Sequence, residues 1–164
     1  MSHEIRYWDS DCFLGWLKEE PDKVESCRGV VEGAKKGEIL IVTSALTLAE
    51  VVKLKHKTPI PESDADKVKA FFMNDYIRVR NVDRNIAELA RKLVWTHDFL
   101  KPKDSIHIAT AIRHRIKLFD TFDRDLMDLT GRLGDPLIRI GSPDLPYQDK
   151  LFSEHQEKEE YDEE

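Results

Sequence analysis

The sequence predicts a three-layer α/β/α fold around a mostly parallel central sheet. Three observations carry that prediction. Strand-like runs alternate with helical segments along the chain, the signature of α/β architecture. The run Ile39–Thr43 is continuously apolar and β-rich, as in a strand covered on both faces of a parallel sheet. Breakers such as Pro21, Gly37, Pro102 and Gly141 punctuate the elements, with no internal repeat and no inter-domain linker.

The elements follow in order. Ile5–Trp8 is a short strand that runs straight into Asp9. Residues 11–19 place Phe13, Leu14, Trp16 and Leu17 at helical spacing. Pro21-Asp22 start a second helix through Val24, Cys27, Val30, Val31 and Ala34, which Gly37 stops. After the strand at 39–43, Thr43 or Ser44 caps a helix from Ala45 to about Lys55. Ser63 or Asp64 caps a helix through Met73, and Tyr76–Val79 alternates like a strand. Asp83 caps a long amphipathic helix with Ile86, Leu89, Ala90, Leu93 and Val94 on one face. Pro102 and Asp104 open a helix over Ser105–His114. Lys117–Asp120 is a strand, Asp123–Leu129 a helical turn closed by Gly131, and Leu137–Ile140 the last strand.

The chain has 164 residues, a length that suits one domain. We expect that domain at residues 1–150, followed by an acidic, disordered tail at 151–164. The tail holds seven acids and one lysine, which accounts for the whole net charge of −6; residues 1–150 balance 25 basic against 25 acidic residues. A neutral body leaves nucleic-acid binding to local charge. Apolar stretches fall far short of the roughly 20 residues of a membrane helix. The N-terminus MSHEIRYWDSD carries acids where a secretory signal is basic and then apolar, so a cytoplasmic location is expected. Cys12 and Cys27 fit neither a disulfide framework nor a zinc spacing and read as reduced, half-buried thiols.

Four acids sit where the local pattern asks for something else. Asp9 interrupts a core-like run, Glu50 lies within the apolar ALTLAEVVKL, Asp104 stands in the first turn of DSIHIATAI, and Asp123 lies in FDTFDRDL. Each has an ordinary reading: Asp9, Asp104 and Asp123 as helix caps, Glu50 as a partner of Lys53. Ligands in α/β folds bind beyond the carboxyl ends of the strands, and Asp9, Glu50 and Asp123 all follow strands. Gathered there, carboxylates repel one another unless a cation sits between them. Oxygen ligands without a His/Cys cluster indicate Mg²⁺ or Mn²⁺ rather than zinc.

The motifs strand–D-S-x-x-F (Asp9, Ser10, Phe13), T-S-x-x-x-x-x-E (Thr43, Ser44, Glu50), D-x-x-H-x-A-x-A (Asp104, His107, Ala109, Ala111) and T-x-D-x-D (Thr121, Asp123, Asp125) resemble the PIN domain, most of all the single-domain VapC-type toxins of toxin–antitoxin pairs. The resemblance covers about residues 4–141. It implies Mg²⁺-dependent endonucleolytic cleavage of RNA, with Asp9, Glu50, Asp104 and Asp123 at the acidic positions and Thr121 at the small hydroxyl position. It also implies a homodimer and a cognate antitoxin whose segment crosses the acidic site. Asp11 and the acidic tail depart from the family's pattern.

Asp9, Glu50, Asp104 and Asp123 form the expected metal site, with the three aspartates as direct or near-direct ligands and Glu50 orienting a metal-bound water. His107 is read as a structural hydrogen-bonder, its general-base role as the lesser alternative. Ser10 and Ser44 lack the arrangement of a nucleophilic serine. Basic residues follow or precede these motifs: Lys53, Lys55, His56 and Lys57; Lys101 and Lys103; Arg113, His114, Arg115 and Lys117; and Arg124. They are either RNA contacts or solvated faces. Trp8, Trp16 and Trp95 read as core aromatics. Val68, Phe71 and Phe72 with Ile86, Leu89 and Leu93 form a candidate dimer face. Two other functions compete: a haloacid-dehalogenase-like phosphatase using Asp9 and Asp11, and a non-catalytic PIN-like binding module.

Overall fold

The structure is a computed structural model that describes residues 3–53 and 58–143. The expected tail at 151–164, the basic residues Lys55, His56 and Lys57, and Pro146 lie outside the described residues.

Among the described residues, five strands form one sheet: β1 Glu4–Trp8, β2 Ile39–Ser44, β3 Ile77–Arg80, β4 Leu118–Asp120 and β5 Arg139–Gly141. Their order is β3-β2-β1-β4-β5, and every pairing is parallel. Helices α1 Ser10–Leu17, α2 Val24–Lys35, α3 Ala45–Glu50, α4 Ala65–Phe72, α5 Arg84–Thr96, α6 Pro102–Arg113 and α7 Arg124–Met127 connect them. The three-layer α/β/α fold expected from the alternation is therefore present, with a fully parallel sheet.

Alternation along each strand divides the apolar side chains between two cores. Tyr7, Val42, Phe119 and Ile140 pack with Ile86, Leu93 and Ile108 on one face. Trp8, Ile39, Ile41 and Ile77 pack with Phe13, Val30 and Val31 on the other. This division corrects one expectation. Val68, Phe71 and Phe72 line the second core, whereas Ile86, Leu89 and Leu93 serve the first. The six residues cover opposite faces of the sheet and form no common dimer surface.

Local chemistry sets the element ends. Asp83 caps α5 by accepting from the Ile86 backbone N–H at 2.9 Å. Gly37 follows α2 at φ +78°, a left-handed conformation that glycine adopts without a Cβ penalty. Ser44 caps α3 through the Leu46 N–H. That helix ends at Glu50 rather than near Lys55, and it is less buried than its composition predicts. Only Thr47 is buried within it, while Leu48 is 48% exposed. Leu48 borders an open groove of about 960 Å³, lined also by Val52, Val68, Phe72 and Met73. Trp8 is fully buried, but Trp95, expected in the core, is 76% exposed beside Arg91. No described helix is long and apolar enough to cross a membrane.

From β1 the chain steps outward to β2 and β3, then returns to place β4 on the other side of β1 and β5 beyond it. The connections leaving β1 and β4 thus run in opposite directions. The crevice outside their carboxyl ends is the topological switch point of the sheet, where α/β folds bind ligands.

Candidate active site

Asp9 leaves β1 at this switch point and is buried. Its Oδ1 accepts the Cys12 backbone N–H at 3.2 Å, capping α1. Its Oδ2 accepts the Thr121 hydroxyl at 2.6 Å. The capping reading and the site reading thus use different oxygens of one carboxylate. Burial pushes Asp9 up to about 6, against the opposing pull of Thr121 and His107. Thr121, just past β4, is also buried, and its Oγ1 accepts the Asp123 backbone N–H at 3.1 Å. Asp123 in turn caps α7 by accepting from the Asp125 N–H at 2.9 Å.

On the β2 side, Glu50 closes α3. Its Oε1 receives the Ser10 hydroxyl at 2.9 Å and lies 2.6 Å from His107 Nε2. The expected pair with Lys53 does not form. The helix has ended before Lys53, which is exposed, and Glu50 turns toward α1 and α6 instead. Burial is the largest single influence on Glu50 and raises it. The hydrogen bond and charge of His107, with Ser10 and Lys103, outweigh burial and hold the carboxyl below its ordinary value. His107 Nδ1 lies 2.6 Å from the Tyr7 hydroxyl.

Asp104 is the third residue of α6, whose N-cap position is Lys101, so Asp104 does not cap the helix as one reading expected. Its carboxylate makes no hydrogen bond to a described residue. Burial raises it first and the charge of Asp123 second, while His107 and Lys101 oppose and Glu50 adds to the rise. Hydrogen bonds and charge thus relate the four expected acids to one another. Asp123, Thr121 and Asp9 form one hydrogen-bonded series, and Ser10, Glu50 and His107 form another beginning at the next residue. Asp104 lies in the field of both.

Among the described residues, no three His, Cys, Asp or Glu side chains come close enough to enclose an ion by themselves. The donor chemistry nonetheless fits a hard divalent cation. A partly buried carboxylate without a hydrogen-bond donor, beside another acid, is a charge in need of compensation. Mg²⁺ keeps several waters and needs only one or two direct carboxylates, so a spread set suits it better than a tight cage.

Asp11 stands apart from this set. Lys23 Nζ holds it at 2.6 Å and also pairs with Glu20 at 3.2 Å. An acid so engaged is not free to protonate a leaving group, and the phosphatase reading loses its second aspartate. Lys101, Lys103 and Arg124 are exposed and adjoin Asp104 or Asp123. Arg113, His114 and Arg115 are exposed at the far end of α6. At 1.5 Å per residue, Arg113 is roughly 14 Å along the helix from Asp104. That group does not adjoin the acids as its place in the sequence suggested.

Sequence reasoning missed one acid. Asp120, the last residue of β4, is buried on the α1 side of the sheet. It accepts from Arg6 Nη1 at 3.0 Å and Trp8 Nε1 at 2.9 Å. Burial pushes it up to about 6, with Arg6 the main opposing influence. Its position at a strand end was visible, but its partners lie more than a hundred residues away in sequence.

Comparison with known proteins completes the picture. No curated protein sequence matches the chain. Among solved structures, VapC20 of Mycobacterium tuberculosis, described as a sarcin-ricin loop cleaving toxin, is similar at TM-score 0.59 and 17% identity. That similarity covers 73% of this chain and 91% of that one. VapBC2 of Rickettsia felis, bound to a promoter DNA fragment, is similar at TM-score 0.60 and 16% identity, covering 85% and 99%. A toxin–antitoxin complex of Klebsiella pneumoniae follows at TM-score 0.56 and 18% identity, covering 86% and 99%. At such identities the likeness speaks to the fold. The sequence profile of the PIN domain, however, matches residues 6–132, most of the chain, and the protein belongs to the PIN domain family.

Proposed function

We propose that this protein is a Mg²⁺- or Mn²⁺-dependent endoribonuclease that hydrolyses RNA phosphodiester bonds. One arrangement supports the reading: Thr121 joins Asp9 Oδ2 to the Asp123 backbone, and Asp104, which has no hydrogen-bond donor among the described residues, feels the charge of both Asp123 and Glu50. Asp9, Asp104 and Asp123 would hold the cation. When bound, it supplies neutralisation of the phosphate oxygens and activation of water. Glu50 orients the attacking water, and Thr121 fixes Asp9. The water oxygen bonds to phosphorus, the bond from phosphorus to the bridging oxygen breaks, and that oxygen leaves with a proton.

The test is cleavage of a broad RNA panel by purified, partner-free protein. Activity with Mg²⁺ or Mn²⁺ is expected, abolished by chelation and by Asp9→Asn or Asp104→Asn. No cleavage with either metal would defeat the reading. Hydrolysis of a small aryl phosphate instead, lost in Asp9→Asn and Asp11→Asn, would return the phosphatase. Metal-independent RNA binding without cleavage would indicate a binding module.

The reading extends to biology. The domain spans 1–150 with an acidic tail, and the protein acts in the cytoplasm as a homodimer and as the toxin of a toxin–antitoxin pair. The VapBC and toxin–antitoxin complexes among its structural relatives support a partner. So does the apolar groove beside α3 and α4, and exposed Trp95 and Phe99 support a second contact surface. A monomer at micromolar concentration would defeat the dimer. Isolation from the host without a small basic-tailed partner would remove the antitoxin.

A further inference from the structure

We propose that Tyr7 and His107 are positioning residues that clamp Glu50 by one carboxylate oxygen and leave the other to face the attacking water, an inference that rests on the nuclease reading above. The geometry is a continuous line. The Tyr7 hydroxyl lies 2.6 Å from His107 Nδ1, and His107 Nε2 lies 2.6 Å from Glu50 Oε1. The Ser10 hydroxyl donates to the same Oε1 at 2.9 Å. Both contacts converge on one oxygen, and Oε2 has no hydrogen-bond partner among the described residues.

Whenever the His107 ring is neutral, hydrogen-bond bookkeeping fixes the direction of the line. A carboxylate only accepts, so Nε2 carries the hydrogen in its contact with Glu50. In the neutral ring Nδ1 is then an acceptor, and the Tyr7 hydroxyl is the donor that suits it. Removing that donor leaves Nδ1 without its partner and weakens the preference for hydrogen on Nε2, so that part of the population carries it on Nδ1. A lone pair would then face the carboxylate, and the contact would become repulsive.

The rigidity of the two ends explains why a clamp is needed. Tyr7 is fully buried in the central strand and stacks on Phe119 with ring centroids 4.9 Å apart. His107 is 3% exposed in the middle of α6. Glu50, by contrast, ends a six-residue helix bordering an open groove, and its own element does little to fix its side chain. The line carries the rigidity of β1 and α6 to that carboxylate. Orientation of a reacting group is where small misplacements cost most.

The experiment has two arms. The first reads the His107 ring by ¹⁵N NMR in the metal-free protein, at a pH where the ring is neutral. A single Nε2–H tautomer is expected in the wild type, with a mixture in Tyr7→Phe. Identical tautomer populations in both would overturn the clamp. The second measures kcat and KM for RNA. His107→Ala and Tyr7→Phe should lower kcat by about 10–100-fold with KM nearly unchanged, the usual effect of losing a group that orients an active-site residue. His107→Gln, whose amide nitrogen reaches the Nε2 position, should recover most of the loss. Wild-type kcat in Tyr7→Phe and His107→Ala, or a loss that His107→Gln does not recover, would overturn the proposal. If His107→Ala fails to fold, the other two variants decide. If the wild type cleaves no RNA, the nuclease reading fails by itself, and the ring signal still accepts or rejects the clamp.

Discussion

Thr121 donates its hydroxyl hydrogen to Asp9 Oδ2 at 2.6 Å while accepting the Asp123 backbone N–H at 3.1 Å. One small side chain thereby joins the acid that follows β1 to the acid that follows β4. Thr121→Val keeps the shape but removes both contacts. We expect about a 10–100-fold loss of RNA cleavage or of Mn²⁺ affinity, the usual consequence of removing a group that orients a metal ligand. Thr121→Ser keeps the hydroxyl and should stay near wild type. Calorimetric Mn²⁺ titration alongside cleavage rates checks this, and a fully active Thr121→Val would refute it.

Asp9 makes the stability of the metal-free protein pH-dependent in an unusual direction. Burial raises its folded-state value to about 6 from an ordinary 3.8. Between those values the folded state binds more protons than the unfolded state, so this contribution is complete below about pH 4 and lost as pH rises through about 6. At 1.36 kcal/mol per unit, the loss is about 3 kcal/mol at most. Glu50, held below its ordinary value, works oppositely and loses its contribution as pH falls. The decisive measurement is therefore a difference: urea denaturation of wild type and Asp9→Asn at pH 5 and pH 7. Asp9→Asn should gain on the wild type at pH 7. An equal gap at both pH values would contradict it.

The same shift predicts how metal acts on the fold. If Asp9 holds the proposed cation, protons compete with it below about pH 6. Mg²⁺ or Mn²⁺ should raise the melting temperature clearly at pH 7.5 and little at pH 5, and Asp104→Asn should blunt the effect. Thermal melts with and without metal measure it. Equal stabilisation at both pH values would place the ion elsewhere.

Asp120 carries structural weight rather than chemistry. Arg6 is 7% exposed in the central strand, and Asp120 and Glu4 are its ionic partners. Asp120→Ala removes one of them and the Trp8 Nε1 acceptor together, leaving a buried cation less compensated. Loss of one member of a buried pair costs about 3–5 kcal/mol. Glu4 and relaxation of the strand place the expectation at the lower end. Chemical denaturation checks the value, and a cost below about 1 kcal/mol would show that Glu4 alone suffices.

These residues also show where sequence reading reaches its limit. Local signals were legible: the apolar run of β2, the Asp83 cap, the Gly37 stop and the placement of Asp9 and Thr121 directly after strands. All of these depend on neighbours a few residues away. Arg6 leaves no local signal of its role, because its partner Asp120 is 114 positions distant. The Tyr7–His107 contact spans 100 positions and the His107–Glu50 contact 57, so neither leaves a local pattern. Trp95 departs from its expected burial for a different reason. Composition favours burial of tryptophan, but α5 already fills its core with Ile86, Ala90 and Leu93 and leaves its last turn outside.

RNA binding should distinguish the basic residues by their distance from the acids. Lys101 and Lys103 flank Pro102 at the start of α6, and their charges act on Asp104 and Glu50 respectively. Arg124 begins α7 directly after Asp123. Arg113 and Arg115 lie at the other end of α6. A phosphate backbone crossing the acidic crevice would meet the first group before the second. Each cation that neutralises a phosphate steepens the salt dependence of binding by roughly 0.7 per contact on a logarithmic scale for single strands. Lys103→Glu and Arg124→Glu should therefore weaken RNA binding and flatten its salt slope by about one contact each. Arg113→Glu and Arg115→Glu should leave the slope nearly unchanged. Fluorescence anisotropy with Asp9→Asn protein, across a range of salt concentrations, separates binding from cleavage. If the two Arg variants at the far end of α6 flatten the slope instead, the RNA path runs along the helix and away from the crevice.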